Sequence, residues 1–295
     1  MSGEYHIPVL RDEATEFLIT NTDGIYVDAT LGGGGHSEKI VQRLSENGKL
    51  IAIDNDEDAI TFAKKRLENY RNVTFVNDNF RNLTSILEKL NVKKINGVLF
   101  DLGVSSQQID ESSKGFSFRG NARLDFRMNR NTELDGYTII NEYDEKELAD
   151  IFFHYGEERD SRRIARRIVE ARKQQIIETT EDLKTIIQKC VSGRFLNKSL
   201  ARVFQAIRIV VNDELESLKD GLNSAIDCLL PSSRIVVISY HSLEDRIAKQ
   251  TFQSFAKSET PQLKILTKKV VIPSDEEMKN NPRARSAKMR AAEKF

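Results

Sequence analysis

Cysteine is nearly absent from this chain of 295 residues. Cys190 and Cys228 are the only two, far apart and with no CxxC pair. That excludes a disulfide framework and argues against a thiolate zinc site, so no metal is expected. A net charge is missing too: Lys+Arg and Asp+Glu stand at 45 each. Global charge therefore points to no polyanionic partner, and only local clusters can. No run of about 18 apolar residues occurs, which predicts no membrane-spanning helix. The start, Met1 to Pro8, lacks a basic stretch followed by an apolar one, so no signal peptide is expected. These absences suit a cytoplasmic protein with reduced thiols.

What is present is an alternation. Apolar, β-branched runs at 25–28, 50–53, 73–76 and 97–100 read as strands. Helical spacing follows them at 36–44, 57–67 and 83–90. Continuous apolar strands between helices predict a parallel, doubly wound sheet. The rhythm stops at 105–135, which is rich in Gly, Ser, Asn and Arg. Helical patterns then run at 145–155, 160–173, 180–190 and 201–218, and read as an insertion. A strong strand returns at 234–239, with a helix from 243 to about 255. Residues 263–267 and 286–293 suit a terminal antiparallel pair. The polar, Pro-bounded stretch 274–283 reads as a loop.

A glycine tract, Gly32 to Gly35, follows Asp28 at the first strand–helix junction. Such a tract lets backbone approach a ligand and aims helix N-terminal amides at it. A dinucleotide loop wants G-x-G-x-x-G, but Ser37 stands at the third glycine. A phosphate P-loop wants Gly-Lys-Ser/Thr, but His36 follows Gly35. The spacing Asp-x-x-x-Gly-x-Gly instead resembles the first motif of class I methyltransferases, whose cofactor is S-adenosyl-L-methionine. Asp54 ends the second strand, where a carboxylate can accept from both ribose hydroxyls. Asp56 suits a helix cap. Asp78 could accept from an adenine amine, and Phe80 could cover the ring or simply pack in the core. Asp101 ends the fourth strand. Ligands in such sheets bind beyond the strand carboxyl ends, and all four aspartates fall there.

Nine blocks in order then resemble one family, the bacterial small-subunit ribosomal RNA cytosine-N4 methyltransferases (the MraW family). They are His6–Leu10, Asp28–His36, Asp101–Ser106, Gly115–Phe118, Leu124–Met128, Tyr155–Arg159, Phe204–Arg208, Ile238–Arg246 and Asn281–Ser286. The resemblance implies an α/β, class I (Rossmann-like) methyltransferase sheet with an inserted all-helical domain. The expected division is 1–110 and 215–295 for the methyltransferase domain and 111–214 for a helical substrate-recognition domain. It implies methylation of N4 of a cytidine in the decoding region of 16S rRNA, within the small ribosomal subunit. A homodimer is among the assemblies this allows. By motif position the implied cofactor contacts are Gly34, Gly35, His36, Asp54, Phe80, Asp101 and Gln108. Two departures stand out. Asn129 replaces an Asp, and Asn197-Lys-Ser-Leu-Ala201 replaces a His-Pro-Ala-Thr-like approach to the Phe204 helix.

An exocyclic amine is a poor nucleophile because its lone pair is delocalised into the ring. A hydrogen-bond acceptor on the amine would help localise the lone pair, and Asp101 is the candidate to orient either the acceptor or the methionine amine of the cofactor, with the backbone carbonyls of 102–104 contributing. The Asp/Asn/Ser-Pro-Pro-aromatic motif of DNA amino-methyltransferases is replaced here by Asp101-Leu-Gly-Val. Phe116, Phe118 and Tyr240 are candidates to sandwich a flipped base, against ordinary packing. His241 is a candidate for proton transfer, against a structural role. For RNA phosphates the candidates are Arg162, Arg163, Arg166 and Arg167 on one helix face, against a solvated, paired face. Arg283 and Arg285 form a second cluster with Lys288 and Arg290. Competing readings are a small-molecule or protein methyltransferase, a non-catalytic small-subunit assembly factor with the same fold, and an NAD-dependent oxidoreductase.

Overall fold

The structure, a computed structural model, describes residues 8–104 and 114–295. The chain divides into two compact units, residues 1–104 with 215–295 and residues 105–214.

The first unit is built on seven strands: β1 (Ile25–Asp28), β2 (Lys49–Asp54), β3 (Val73–Asn77), β4 (Ile95–Asp101), β5 (Leu229–Ser239), β6 (Leu263–Ile265) and β7 (Lys288–Lys294). Their order across the sheet is β3-β2-β1-β4-β5-β7-β6. The first five are parallel, and β7 runs antiparallel to both β5 and β6. The expected terminal pair is thus present, and its second strand also closes onto β5.

The helices of this unit are α1 (Arg11–Leu18), α2 (Gly35–Arg43), α3 (Glu57–Arg66) and α4 (Leu83–Lys89) before the insertion. The strands are apolar on both faces because both faces are covered. Val27, Ile51, Ile53, Val98, Phe100, Ile235 and Val237 face one buried layer, with Leu83, Ile86 and Leu87 of α4. Tyr26, Leu50, Ala52, Leu99, Val236 and Ile238 face the other, with Leu18, Ile40, Val41, Ile60 and Ala63 of α1–α3. Neighbouring strand residues alternate between the two layers, as the pleat dictates.

The second unit carries α5 (Gly136–Glu142), α6 (Glu145–His154), α7 (Ser161–Arg172), α8 (Thr180–Gln188) and α9 (Gly193–Asn212). Local chemistry sets the starts. Asp144 with Glu147 and Thr179 with Asp182 form reciprocal capping boxes at α6 and α8. The buried core includes Leu124, Phe126, Phe152, Ile164, Ile168, Leu183, Ile187, Val203, Phe204 and Ile207.

Two expectations are corrected. The single helix expected over 201–218 is two helices, α9 and α10 (Glu214–Cys228), broken at Asp213. Asp213 sits at φ 48, in the left-handed region, and ends the ladder. Asn212 holds the break by donating to the Phe126 carbonyl (2.8 Å) and accepting from the Met128 N–H (2.8 Å). Arg208 reaches over it to grip Glu214 with two hydrogen bonds of 2.7 and 2.9 Å. The stretch 274–283 is not a loop. It forms a short helix, α12 (Asp275–Asn280), followed by a 3₁₀ turn, Pro282–Ser286. The Ser274 hydroxyl caps α12 by accepting the Glu277 N–H, and three acidic residues fill its first turn. The remaining helix, α11 (Ser242–Ala256), follows β5.

Candidate active site

The site is a row of carboxylates at the ends of β1, β2 and β4, beneath the glycine turn that starts α2. Gly34 caps α2 at φ +76, a conformation that disfavours a side chain. A Cβ on Gly35 would lie 2.2 Å from Pro8 Cγ, so close packing also demands glycine there. Arg66 of α3 holds the turn from its flank. It donates to the Gly33 carbonyl (3.3 Å) and binds Glu38 at 2.7 and 2.9 Å.

Asp28 is fully buried beneath the turn and faces it. Its carboxylate accepts from the Ser37 hydroxyl (2.7 Å) and from the Thr30 N–H (3.2 Å). Burial raises the Asp28 pKa, against these two hydrogen bonds. Ser37 therefore has a positive role here: at the position of a dinucleotide loop's third glycine, it anchors the turn to β1.

Asp54 accepts the Gly32 N–H (2.7 Å) on one oxygen and the Asp56 N–H (2.8 Å) on the other. Burial pushes its pKa up to about 6, with the two N–H donors opposing the rise. The expected capping role of Asp56 is seen, because its side chain accepts from the Asp58 N–H at the start of α3.

Asp101 is tied to three neighbours. Its N–H donates to Thr30 Oγ1 (2.6 Å), and its Oδ1 accepts from the Tyr240 hydroxyl (2.8 Å). Its Oδ2 lies 3.4 Å from His36 Nε2, within ion-pair reach but without hydrogen-bond alignment. Burial raises the Tyr240 pKa well above its usual value and Asp101 adds to the effect, so Tyr240 is a committed donor. Burial disfavours a charged His36, but Asp101 outweighs it, and His36 protonates more readily than an ordinary histidine. Thr30 was not singled out in the sequence, although its place two residues after Asp28 is the signal that would have found it.

These residues suit S-adenosyl-L-methionine. His36 is only 5% exposed, yet neither ring nitrogen makes a hydrogen bond among the described residues. A buried imidazole whose nitrogens make no hydrogen bond among the described residues, beside a glycine turn, fits a polar ligand. Asp54 retains lone pairs beyond the two it uses, which ribose hydroxyls can occupy.

Other candidates are placed differently. Phe80 stands edge-on to Phe100 (centroids 5.4 Å) and packs on the apolar layer. Gly221 of α10 admits it, since a Cβ there would lie 2.7 Å from the Phe80 ring. Gly221→Ala should therefore cost about 1–2 kcal/mol through overpacking, net of the better helix propensity of alanine. A denaturation midpoint unchanged from the parent would contradict this contact. Asp78 accepts from the Asn79 N–H and from Asn82 Nδ2. His241 caps α11 in a reciprocal box with Glu244, which accepts the Tyr240 and His241 N–H groups. That is a structural task. Gln108 lies outside the described residues.

In the second unit, Phe116 and Phe118 pack edge-on against Phe126 and Phe204 respectively, at 6.3 and 5.6 Å. The structure thus gives both a packing role. The arginines of α7 are exposed but mostly paired: Arg163 with Asp160 (3.0 Å), Arg166 with Glu145 (3.7 Å) and Arg167 with Glu170 (3.0 Å). Only Arg162 of the four has no ion pair among the described residues. Back in the first unit, Arg285 is exposed and Arg283 half-buried on the 3₁₀ turn. Among the described residues, no helix is long and apolar enough to cross a membrane.

The chain is similar to several known proteins. A ribosomal RNA small subunit methyltransferase H from Clostridium botulinum (strain Loch Maree / Type A3) is 47% identical over 305 aligned residues, covering 98% of this chain and 99% of the relative. The same-named protein of Brevibacillus brevis is 48% identical over 99% of this chain and 98% of its own length. A crystal structure of an rRNA methylase from Streptococcus thermophilus is similar over 97% of this chain and 93% of that one, at 12% identity and a TM-score of 0.46. The model of the MraW methylase family matches residues 3–295. The expected methyl donor, S-adenosyl-L-methionine, accords with both the match and the glycine turn, and the chain belongs to the MraW methylase family.

Proposed function

We propose that this methylase transfers the methyl group of S-adenosyl-L-methionine to N4 of a cytidine in the decoding region of 16S rRNA, acting on the small ribosomal subunit in the cytoplasm. The names of its relatives support ribosomal RNA of the small subunit as the substrate class. The observation that carries the reaction is the Asp101 carboxylate, fixed on one oxygen by Tyr240 and placed at a strand end with acceptor capacity left on the other.

When bound, the cofactor supplies an electrophilic methyl group, so the protein needs no covalent chemistry of its own. Gly34, Gly35 and His36 line its place, and Asp54 accepts from its ribose. Phe80, packed on Phe100, offers a rigid apolar edge for the adenine. Asp101 accepts a hydrogen bond from an amine, which localises the lone pair of N4 or orients the amino group of the cofactor. Positioning of the acceptor amine supplies most of the acceleration. Tyr240 keeps the Asp101 carboxylate from rotating. Arg162, Arg163, Arg166, Arg167, Arg283 and Arg285 are the proposed phosphate contacts, with Arg162 and Arg285 exposed and outside any ion pair among the described residues.

The test is to map methyl groups on 16S rRNA from a strain lacking the gene, with and without the gene restored. Loss of one N4-methyl on a decoding-region cytidine, regained on complementation, is the expected result. An unchanged methylation map would reject the reading in favour of a non-catalytic assembly role.

A further inference from the structure

Away from the carboxylate row, a cleft of about 290 Å³ opens between α11 and the β6–β7 edge of the same unit. Lys249, Lys268 and Arg290 supply its charge, Ile265 its apolar surface above the buried Phe252, and Gln253 and Thr267 its polar remainder. No carboxylate lines it.

Elsewhere in this unit, basic side chains are commonly neutralised. Lys39 pairs with Asp12, Arg66 with Glu38, Arg81 with Asp220 and Arg234 with Glu293. Lys249 and Lys268 are exposed and have no such partner among the described residues. Arg290 is different again. Asp245 holds it with two hydrogen bonds, of 2.7 and 3.2 Å, and Lys288 adds a third charge at 3.6 Å from the same carboxylate. Burial alone would raise the pKa of Asp245, but Arg290 and Lys288 hold it below the usual range. It therefore stays ionised and keeps Arg290 at the cleft wall. The local balance remains positive: four cations against one carboxylate.

The place of the cleft is as informative as its charge. Asp101 is opposite Ile238 across β4–β5, and Ile238 is opposite Met289 across β5–β7. Two strand spacings, about 10 Å, therefore separate the backbone of Asp101 from that of β7 beside Arg290. A ligand whose reacting base meets Asp101 would bring its neighbouring nucleotide over this edge, and base-modifying enzymes read such flanking nucleotides. Cations over an apolar floor fit a phosphodiester with its attached sugar and base.

We infer that this cleft is a docking subsite for a nucleotide flanking the target cytidine, with Lys249 and Lys268 contacting its phosphate and Ile265, backed by the buried Phe252, carrying its apolar face. This rests on the proposed RNA substrate. It adds a binding site on the sheet edge, distinct from the arginines of α7.

The test uses the full chain carrying Lys249→Glu and Lys268→Glu together, and small subunits purified from a strain lacking the gene. The Kd for subunits should rise about tenfold, and the slope of log Kd against log salt should shrink by about 2. The Kd for S-adenosyl-L-methionine and the turnover at saturating subunits should not change. The Lys249→Arg, Lys268→Arg pair should bind as the parent does. Subunit affinity and salt slope unchanged by the charge reversal would overturn the subsite while leaving the proposed function intact. A parent protein that methylates no small-subunit RNA would remove the proposed function, and the subsite with it.

Discussion

Asp101→Asn should lower the turnover of methyl transfer by about a hundred- to a thousandfold, the range expected when one positioned charged hydrogen-bond acceptor is lost. The substitution is nearly isosteric, so the amide oxygen can still accept from Tyr240 and the main-chain link to Thr30 is untouched. What changes is the second position. An N–H₂ group replaces the oxygen nearest His36, and it cannot accept from an amine. The two roles open to Asp101 separate cleanly. If it orients the acceptor base, turnover falls while the Kd for S-adenosyl-L-methionine stays close to the parent value. If it binds the amino group of the cofactor, that Kd rises instead. Tyr240→Phe should follow the same pattern at about ten- to a hundredfold, the size of one hydrogen bond to a charged acceptor. Full turnover with unchanged cofactor affinity in Asp101→Asn would remove Asp101 from the chemistry.

Asp54→Asn should weaken S-adenosyl-L-methionine binding by about a hundredfold, because hydrogen bonds to a charged acceptor are worth about 1.5–3 kcal/mol each and ribose offers two donors. The glycine turn also suffers. Asp54 accepts Gly32 N–H on one oxygen and Asp56 N–H on the other, and an amide must turn its own N–H₂ toward one of them. The parent should show a matching pH dependence. Asp54 has a folded pKa of about 6, raised above the ordinary 3.8 by burial. The cofactor-competent form is the ionised one, so the Asp54 contribution to affinity should be level above pH 6 and fall by up to about tenfold per unit below it. Stability moves the other way. The folded state takes up the proton before the unfolded state does, so the Asp54 contribution improves as pH falls from about 6 toward 3.8. The cost of its buried charge is complete above that window. Calorimetric titration from pH 5 to 8 should show, in the parent, a loss of affinity below pH 6 that Asp54→Asn lacks. A parent profile that is flat throughout would contradict the role given to Asp54.

The sheet and its carboxylate row were legible because both depend on local signals. Apolar runs that fill both faces of a pleat can only be buried strands, and each of Asp28, Asp54 and Asp101 stands where such a run stops. The sense of Ser37 was half legible. Its presence ruled out one ligand class, but its bond to Asp28 depends on how α2 tilts over β1. The break at Asp213 was hidden because no glycine or proline marks it. Main-chain groups of Phe126 and Met128, 86 and 84 residues away in sequence, hold it through the Asn212 side chain. In α12 the Ser274–Glu277 cap was visible in the sequence but was outweighed by the flanking prolines. His241 and the α7 arginines show the common limit. A residue type suggests chemistry, while its tertiary neighbours, here Glu244, Asp160, Glu145 and Glu170, decide whether it is free to perform it.

The strand order also sets a timetable for synthesis. The four strands that carry the glycine turn and the carboxylate row leave the ribosome first, yet β4 has a neighbour on one side only until β5 is made. Phe100 of β4 faces Val237 of β5, which is added 137 residues later. At about 5–20 residues per second, that leaves an apolar, hydrogen-bond-hungry sheet edge open for roughly 7–27 s. The whole helical unit emerges in that interval. The nascent half-sheet is thus the stage most exposed to wrong pairing, and a natural client for a holding chaperone while the final strands are still being translated.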